Sequence, residues 1–168
     1  MTRHAVHYSS KSTEWATPQA TFDELNAEFG FTLDVCATHA NAKCPRHYTK
    51  KENGLTSPWP GVCWMNPPYG REIGHWIRKA YEESQRGALV VGLLPARTDT
   101  RWFHEWILGK AEIRFLRGRL HFGESRYGAP FPSMIVIWGE SRRQTQKSLT
   151  PVERTDRVRA EADRKGRR

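Results

Sequence analysis

Long apolar runs are absent from this chain, acidic residues are in deficit and cysteine is scarce. No uninterrupted apolar stretch approaches the roughly 18 residues that a membrane span requires. The segment from Met1 to His7 also lacks the apolar core of a signal peptide. A soluble, cytoplasmic protein without a membrane partner is expected. Three cysteines, an odd number, fit a reducing compartment better than a disulfide framework, so free thiols are expected. Asp and Glu total 18 against 27 Lys and Arg, a formal charge of +9, and the pI is near 9.8. That excess favours a polyanionic partner through counterion release, and nucleic acid leads the candidates. With 168 residues, 38% of them apolar, the chain is long enough for one domain with a real core.

The most specific feature is Asn66-Pro67-Pro68-Tyr69, directly after the apolar run from Val62 to Met65. An amide, two rings without N–H donors and an aromatic at a strand end suit methylation of an amine on a nucleobase. The lone pair of an exocyclic amine is delocalised into its ring. A catalyst must therefore hold both N–H bonds with acceptors and aim the nitrogen at a methyl donor. Asn66 Oδ1 and the Pro67 carbonyl can be those acceptors. Pro67 and Pro68 stiffen the turn, and Tyr69 offers a face on which a flipped base can stack. A plain surface turn closing a buried strand is the bland alternative.

Helical and strand-like patterns alternate along the chain. Thr17 reads as an N-cap with Pro18 at the first helical position, and Phe22, Leu25 and Phe29 form one apolar face that Gly30 ends. Phe31 to Ala37 reads as a strand bearing Asp34. Residues 38–60 are polar and hold at most a short strand around His47 to Thr49. Val62 to Met65 is a strand. A clear helix follows, with Ile73, Trp76, Ile77, Ala80 and Tyr81 at helical spacing and Gly87 as its stop. Ala88 to Leu94 reads as a strand buried on both faces of a parallel sheet. Asp99 can cap a helix carrying Trp102, Phe103, Trp106 and Ile107, stopped by Gly109, and Glu112 to Leu116 and Ser133 to Trp138 are strand-like. The pattern predicts an α/β sheet wound by crossovers. Ligands of such sheets lie at the carboxyl ends of the strands, which puts Asp34, Asn66 to Tyr69 and Arg97 to Asp99 on one rim. Residues 1–13 read as a flexible arm, 14–139 as the catalytic domain and 140–168 as a basic, disordered tail.

In this order, Glu14 to Gln19, Phe29 to Ala37, Asn41 to Cys44, Asn66 to Gly70, Leu94 to Thr98 and Phe131 to Ser133 make the chain resemble the phage-type DNA N6-adenine methyltransferase family, the small Dam-like enzymes. The resemblance implies a compact Rossmann-like class I sheet, mostly parallel with an antiparallel final strand. It also implies S-adenosyl-L-methionine as donor, methyl transfer to N6 of a flipped adenine in double-stranded DNA, and a bacterial or phage-infected cell. Carried over by residue, Asn66, Pro67, Pro68 and Tyr69 hold the adenine. Trp15, Thr17 and Pro18 close over the methionine part of the donor, Asp34 is the acid at the end of the first strand, and Asn53 lies beside the donor's adenine. The Gly-rich loop usual after the first strand of methyltransferases is replaced by Asp34 to Ala40. The donor has no phosphate and so needs no cradle of backbone amides. The oligomeric expectation is a monomer or weak dimer.

Other readings stay open. The same turn suits cytosine N4, an RNA base or a glutamine amide. A DNA-binding module without a donor site is another possibility, because residues 38–60 leave little chain for a donor pocket. Asp34 equally suits a backbone cap. Cys36, His39, Cys44 and His47 have legal zinc spacing, yet buried thiols and no metal are the preferred reading. Trp76, Trp102, Trp106 and Trp138 read as core. Arg97 reads as a DNA contact, and Arg119, His121, Arg126 and Tyr127 stand where a target-reading loop belongs, although a solvated hairpin tip explains them nearly as well.

Overall fold

A computed structural model describes residues 15–123 and 127–140. The arm, most of the basic tail and Arg126 lie outside the described residues. In chain order the elements are α1 (Gln19–Phe29), β1 (Leu33–Asp34), β2 (Val62–Met65), α2 (Ile73–Gln85), β3 (Leu89–Pro95), α3 (Arg101–Trp106), β4 (Glu112–Phe115) and β5 (Ser133–Trp138). They build an α/β fold on an open five-stranded sheet of order β1-β2-β3-β5-β4. β1 pairs parallel to β2, and β2 to β3. β5 runs antiparallel to both β3 and β4. The sheet is therefore mixed, with two ladders of each kind. The run expected in the middle of a parallel sheet, β3, has an antiparallel neighbour on one side.

Alternation along the central strands sorts the core into two layers. Cys63, Met65, Val90, Leu94, Met134, Val136 and Trp138 face Ile77, Ala80, Phe103 and Ile107 of the α2–α3 side. Trp64, Val91, Leu93, Ile135 and Ile137 face Phe22 and Leu25 of α1 together with Phe122 and Ala129. Both faces are covered, which is why β3 and β5 read as unbroken apolar runs. Gly92 makes room for this packing: a Cβ there would meet Met65 Cε at 2.9 Å and the Trp138 ring at 3.1 Å. Trp138 is fully buried and its indole N–H donates to the Trp106 carbonyl at 2.8 Å.

Several boundaries differ from the sequence reading. α1 begins at Gln19 with Pro18 in the N-cap position, and no side chain caps it. The Thr17 hydroxyl is instead engaged by Asn66. α3 begins after Thr100, again without a side-chain cap, so Asp99 is not its cap. β1 is only two residues long because the Asp34 carboxylate takes the Cys36 N–H and bends the chain away, although the Val35 N–H still reaches the Trp64 carbonyl.

Glu83 joins α2 to the segment before β2. Its buried carboxylate accepts from Lys79 at 2.7 Å, Arg86 at 2.6 Å and the Trp59 N–H at 3.1 Å. Burial alone would raise its pKa, but these donors outweigh burial and hold it below the ordinary 4.5. A folded-state value below the unfolded one means that Glu83 stabilises the fold above about pH 4.5, and that this contribution is lost as pH falls through the lowered value. Glu83→Ala should cost about 2–4 kcal/mol at neutral pH, because it strands the Trp59 N–H and the mostly buried Lys79 ammonium. Urea unfolding at pH 7 and pH 3 tests this: the deficit of the variant should shrink at the lower pH.

Candidate active site

Because β1, β2 and β3 run the same way, their carboxyl ends meet at one rim, where a cavity of about 410 Å³ opens. Its wall takes residues 34–38 from the end of β1, 66–68 from the end of β2, Glu72 and Trp76 from the start of α2, and 15–17 from the segment before α1. The polar stretch after β1 supplies much of the rest, including Asn41, Lys43, Tyr48, Asn53 and Leu55. The shortness of this stretch was what kept open the alternative of a module without a donor site, but it folds back as cavity wall. The Tyr48 N–H bonds the Asp34 carbonyl and the Ala37 N–H bonds the Tyr48 carbonyl, extending the sheet edge without a full strand.

Asn66 is the best-defined group at the rim. Its Nδ2 donates to the Trp15 carbonyl at 2.6 Å and to Thr17 Oγ1 at 2.9 Å. A carbonyl can only accept, so the amide nitrogen must face Trp15 and the oxygen must face the other way. That Oδ1 is buried and has no hydrogen-bond partner among the described residues. The turn beyond it is rigid: Pro67 is buried, and the Pro68 carbonyl accepts from the Gly70 N–H at 3.0 Å.

Asp34 is buried at the cavity wall and accepts from the Cys36 N–H at 3.3 Å and the Lys43 N–H at 3.0 Å. Burial raises its pKa above the ordinary carboxylate value, against the pull of those two N–H groups. The backbone-capping role therefore applies to Asp34, and it stands at the cavity as well. Asn53 lines the cavity with φ of 50°, and its Oδ1 accepts from the Leu55 N–H at 3.2 Å. The next residue, Gly54, sits where the wall is tightest. Pro18 does not line the cavity, while Trp15 and Thr17 do.

Tyr69 departs from its expected role as an open stacking face. It is half-buried and absent from the cavity wall, and its hydroxyl donates to the Leu93 carbonyl at 2.9 Å. Burial pushes its pKa well above the usual value. Its ring lies edge-on to Phe122 and Phe131, at 6.2 and 5.5 Å between centroids, and the Trp15 ring meets the same two phenylalanines at 5.3 and 5.1 Å. This aromatic group was not foreseen as a unit, since its members are spread over a span of more than a hundred residues.

Among the described residues, the expected DNA contacts Arg97, Arg119 and Tyr127 do not line the cavity. Arg97 is exposed after β3, on the same rim, and Arg119 and Tyr127 are exposed on the segment that carries Phe122 and Phe131. Among the described residues no group of three or more His, Cys, Asp or Glu is placed to hold a metal. His39 Nδ1 instead pairs with His47 Nε2 at 2.9 Å. Burial raises the Cys36 and Cys44 thiols, the latter to about 11, so neither is a ready thiolate.

A Cβ on Gly54 would lie 2.1 Å from the Val35 carbonyl oxygen and 3.0 Å from the Trp76 ring. Gly54→Ala should therefore destabilise the protein by about 1–3 kcal/mol by forcing the wall apart. Thermal unfolding without any ligand reads this; an unchanged midpoint would mean that the wall gives freely.

A family model described as DNA N-6-adenine-methyltransferase (Dam) matches residues 6–163. The DNA N-6-adenine-methyltransferase of Haemophilus phage HP1 (strain HP1c1) is 32% identical over 147 residues, 82% of this chain and 84% of that enzyme. The enzyme of the same name from Escherichia phage T1 is 32% identical over 109 residues, 63% of this chain and 45% of the relative. With its whole described fold inside the matched span, the chain belongs to the DNA N-6-adenine-methyltransferase (Dam) family and is a methyltransferase.

Proposed function

We propose that the protein transfers a methyl group from S-adenosyl-L-methionine to N6 of an adenine flipped out of double-stranded DNA. The observation that carries this reading is the unpartnered, buried Oδ1 of Asn66 at the strand-end rim. A buried acceptor left unsatisfied costs free energy in the resting protein, which makes sense where a substrate donor completes it. The Pro67 carbonyl likewise accepts no hydrogen bond from any described residue. Two acceptors adjacent in a rigid turn match the two hydrogens of an exocyclic amine.

The cavity suits the donor. Its volume falls in the usual range for small-molecule sites, about 300–1,000 Å³. Its wall combines a buried carboxylate at Asp34, the Trp76 and Leu55 side chains, and polar groups at Thr38 and Asn41. S-adenosyl-L-methionine supplies an electrophilic methyl group when bound. Asn66 Oδ1 and the Pro67 carbonyl each accept one N6 hydrogen, hold the nitrogen in line and draw its lone pair out of ring conjugation. Neither acceptor forms a covalent bond with the base. Stacking on Tyr69 requires the base to displace the edges of Phe122 and Phe131, which now flank that ring. The names of the two phage enzymes favour adenine over the other amines open to the same turn.

The basic charge serves DNA attraction, with Arg97, Arg119, Arg126 and Tyr127 as its proposed contacts. Asn66→Ala should lower turnover by about two orders of magnitude while leaving DNA affinity largely intact. Mass spectrometry of nucleosides from treated DNA checks both the loss and the base, and full N6-methyladenine yield from the variant would refute the assignment. Arg97→Ala should weaken DNA binding without changing the product and reduce the slope of log affinity against log salt by about 1, measured by anisotropy titration.

A further inference from the structure

The Asn66 amide is oriented by a segment about fifty residues upstream, through contacts unrelated to the prolyl turn itself. We propose that Thr17, with the Trp15 carbonyl, is a positioning element that locks the Asn66 amide with its oxygen free for the substrate, in place of a role in closing over the donor. The inference rests on the amine-binding role of Asn66 stated above. Rotating the amide by half a turn would bring Oδ1 to the Trp15 carbonyl, now 2.6 Å from Nδ2, and set two acceptors against each other. It would also present N–H groups to an incoming amine, donor against donor. Thr17 strengthens the lock from a second direction at 2.9 Å.

Two further observations support the assignment. Thr17 is buried, and its side chain does not cap α1, so its hydroxyl is available to Asn66. The segment is also held by contacts other than those to Asn66. The Gly123 N–H donates to the Ala16 carbonyl at 3.0 Å, and the Trp15 ring is wedged against Phe122 and Phe131. The Trp15 carbonyl is thereby held in place by the segment that bears Arg119 and Tyr127.

Thr17→Val removes the hydroxyl at nearly constant volume, and Thr17→Ser keeps it. The measurements are turnover on adenine-unmethylated plasmid DNA at saturating S-adenosyl-L-methionine, and donor affinity by calorimetry. Thr17→Val should lower kcat about tenfold, the worth of one good hydrogen bond, with donor affinity unchanged, and Thr17→Ser should restore it. In an Asn66→Ala background the same change should have no further effect, because no amide remains to be oriented. Thr17→Ala, measured in the same way, decides the matter if the valine variant does not fold. Weakened donor binding with full turnover at saturation, or an undiminished effect in the Asn66→Ala background, would overturn the inference. Wild-type turnover in Asn66→Ala alone would instead remove the amine-binding role on which it rests.

Discussion

Two hydrogen bonds from one side-chain amide tie the beginning of the described chain to the end of β2. Asn66 Nδ2 reaches the Trp15 carbonyl and Thr17 Oγ1, and this places the segment before α1 over the rim where three parallel strands end. Much else is arranged around that junction. The Trp15 ring is held by Phe122 and Phe131, which also flank Tyr69, so the prolyl turn, the upstream segment and the loop before β5 share one aromatic contact set. The result is a rigid corner with one amide oxygen left over.

The sheet explains why the corner is where it is. Parallel strands bring their carboxyl ends to the same edge because the chain crosses back between them, so residues following Asp34 and Met65 become neighbours although the chain between them is long. β5 then enters antiparallel beside β3, which seals the sheet with apolar side chains on both faces. At Gly92 the side chains of Met65 and Trp138 fill the space a further side chain would need. The described core thus presents a stiff platform, and the cavity occupies its polar margin.

Electrostatics separate structural from site carboxylates. Glu83 is buried among two cations and an N–H, and its pKa falls. Asp34 takes its hydrogen bonds from the Cys36 and Lys43 backbone N–H groups, and burial outweighs them and raises its pKa. The first arrangement fastens a helix to its neighbour. The second holds a loop at a cavity wall and leaves a carboxyl that is more easily protonated than usual.

Much of this was legible in the residues. Helical spacing located α2 and its glycine stop, and unbroken apolar runs located β2, β3 and β5, because a strand covered on both faces carries apolar residues at nearly every position. Asn66-Pro67-Pro68-Tyr69 declared its chemistry by residue type, and the order of short motifs pointed to the family. Less legible was anything that depends on which side chain wins a shared partner. Thr17 reads as a helix cap, but the Asn66 amide takes its hydroxyl. Asp99 reads as a cap and stands outside α3, and Tyr69 reads as an open face but is flanked by two phenylalanines from a distant loop. Residues 38–60 carry no strong period, so only their hydrogen bonds to β1 reveal them as cavity wall. The sequence by itself determined the elements and the reactive turn, since both follow from local chemistry. The tertiary structure alone decided the orientation of the Asn66 amide, because that depends on a carbonyl brought from far along the chain.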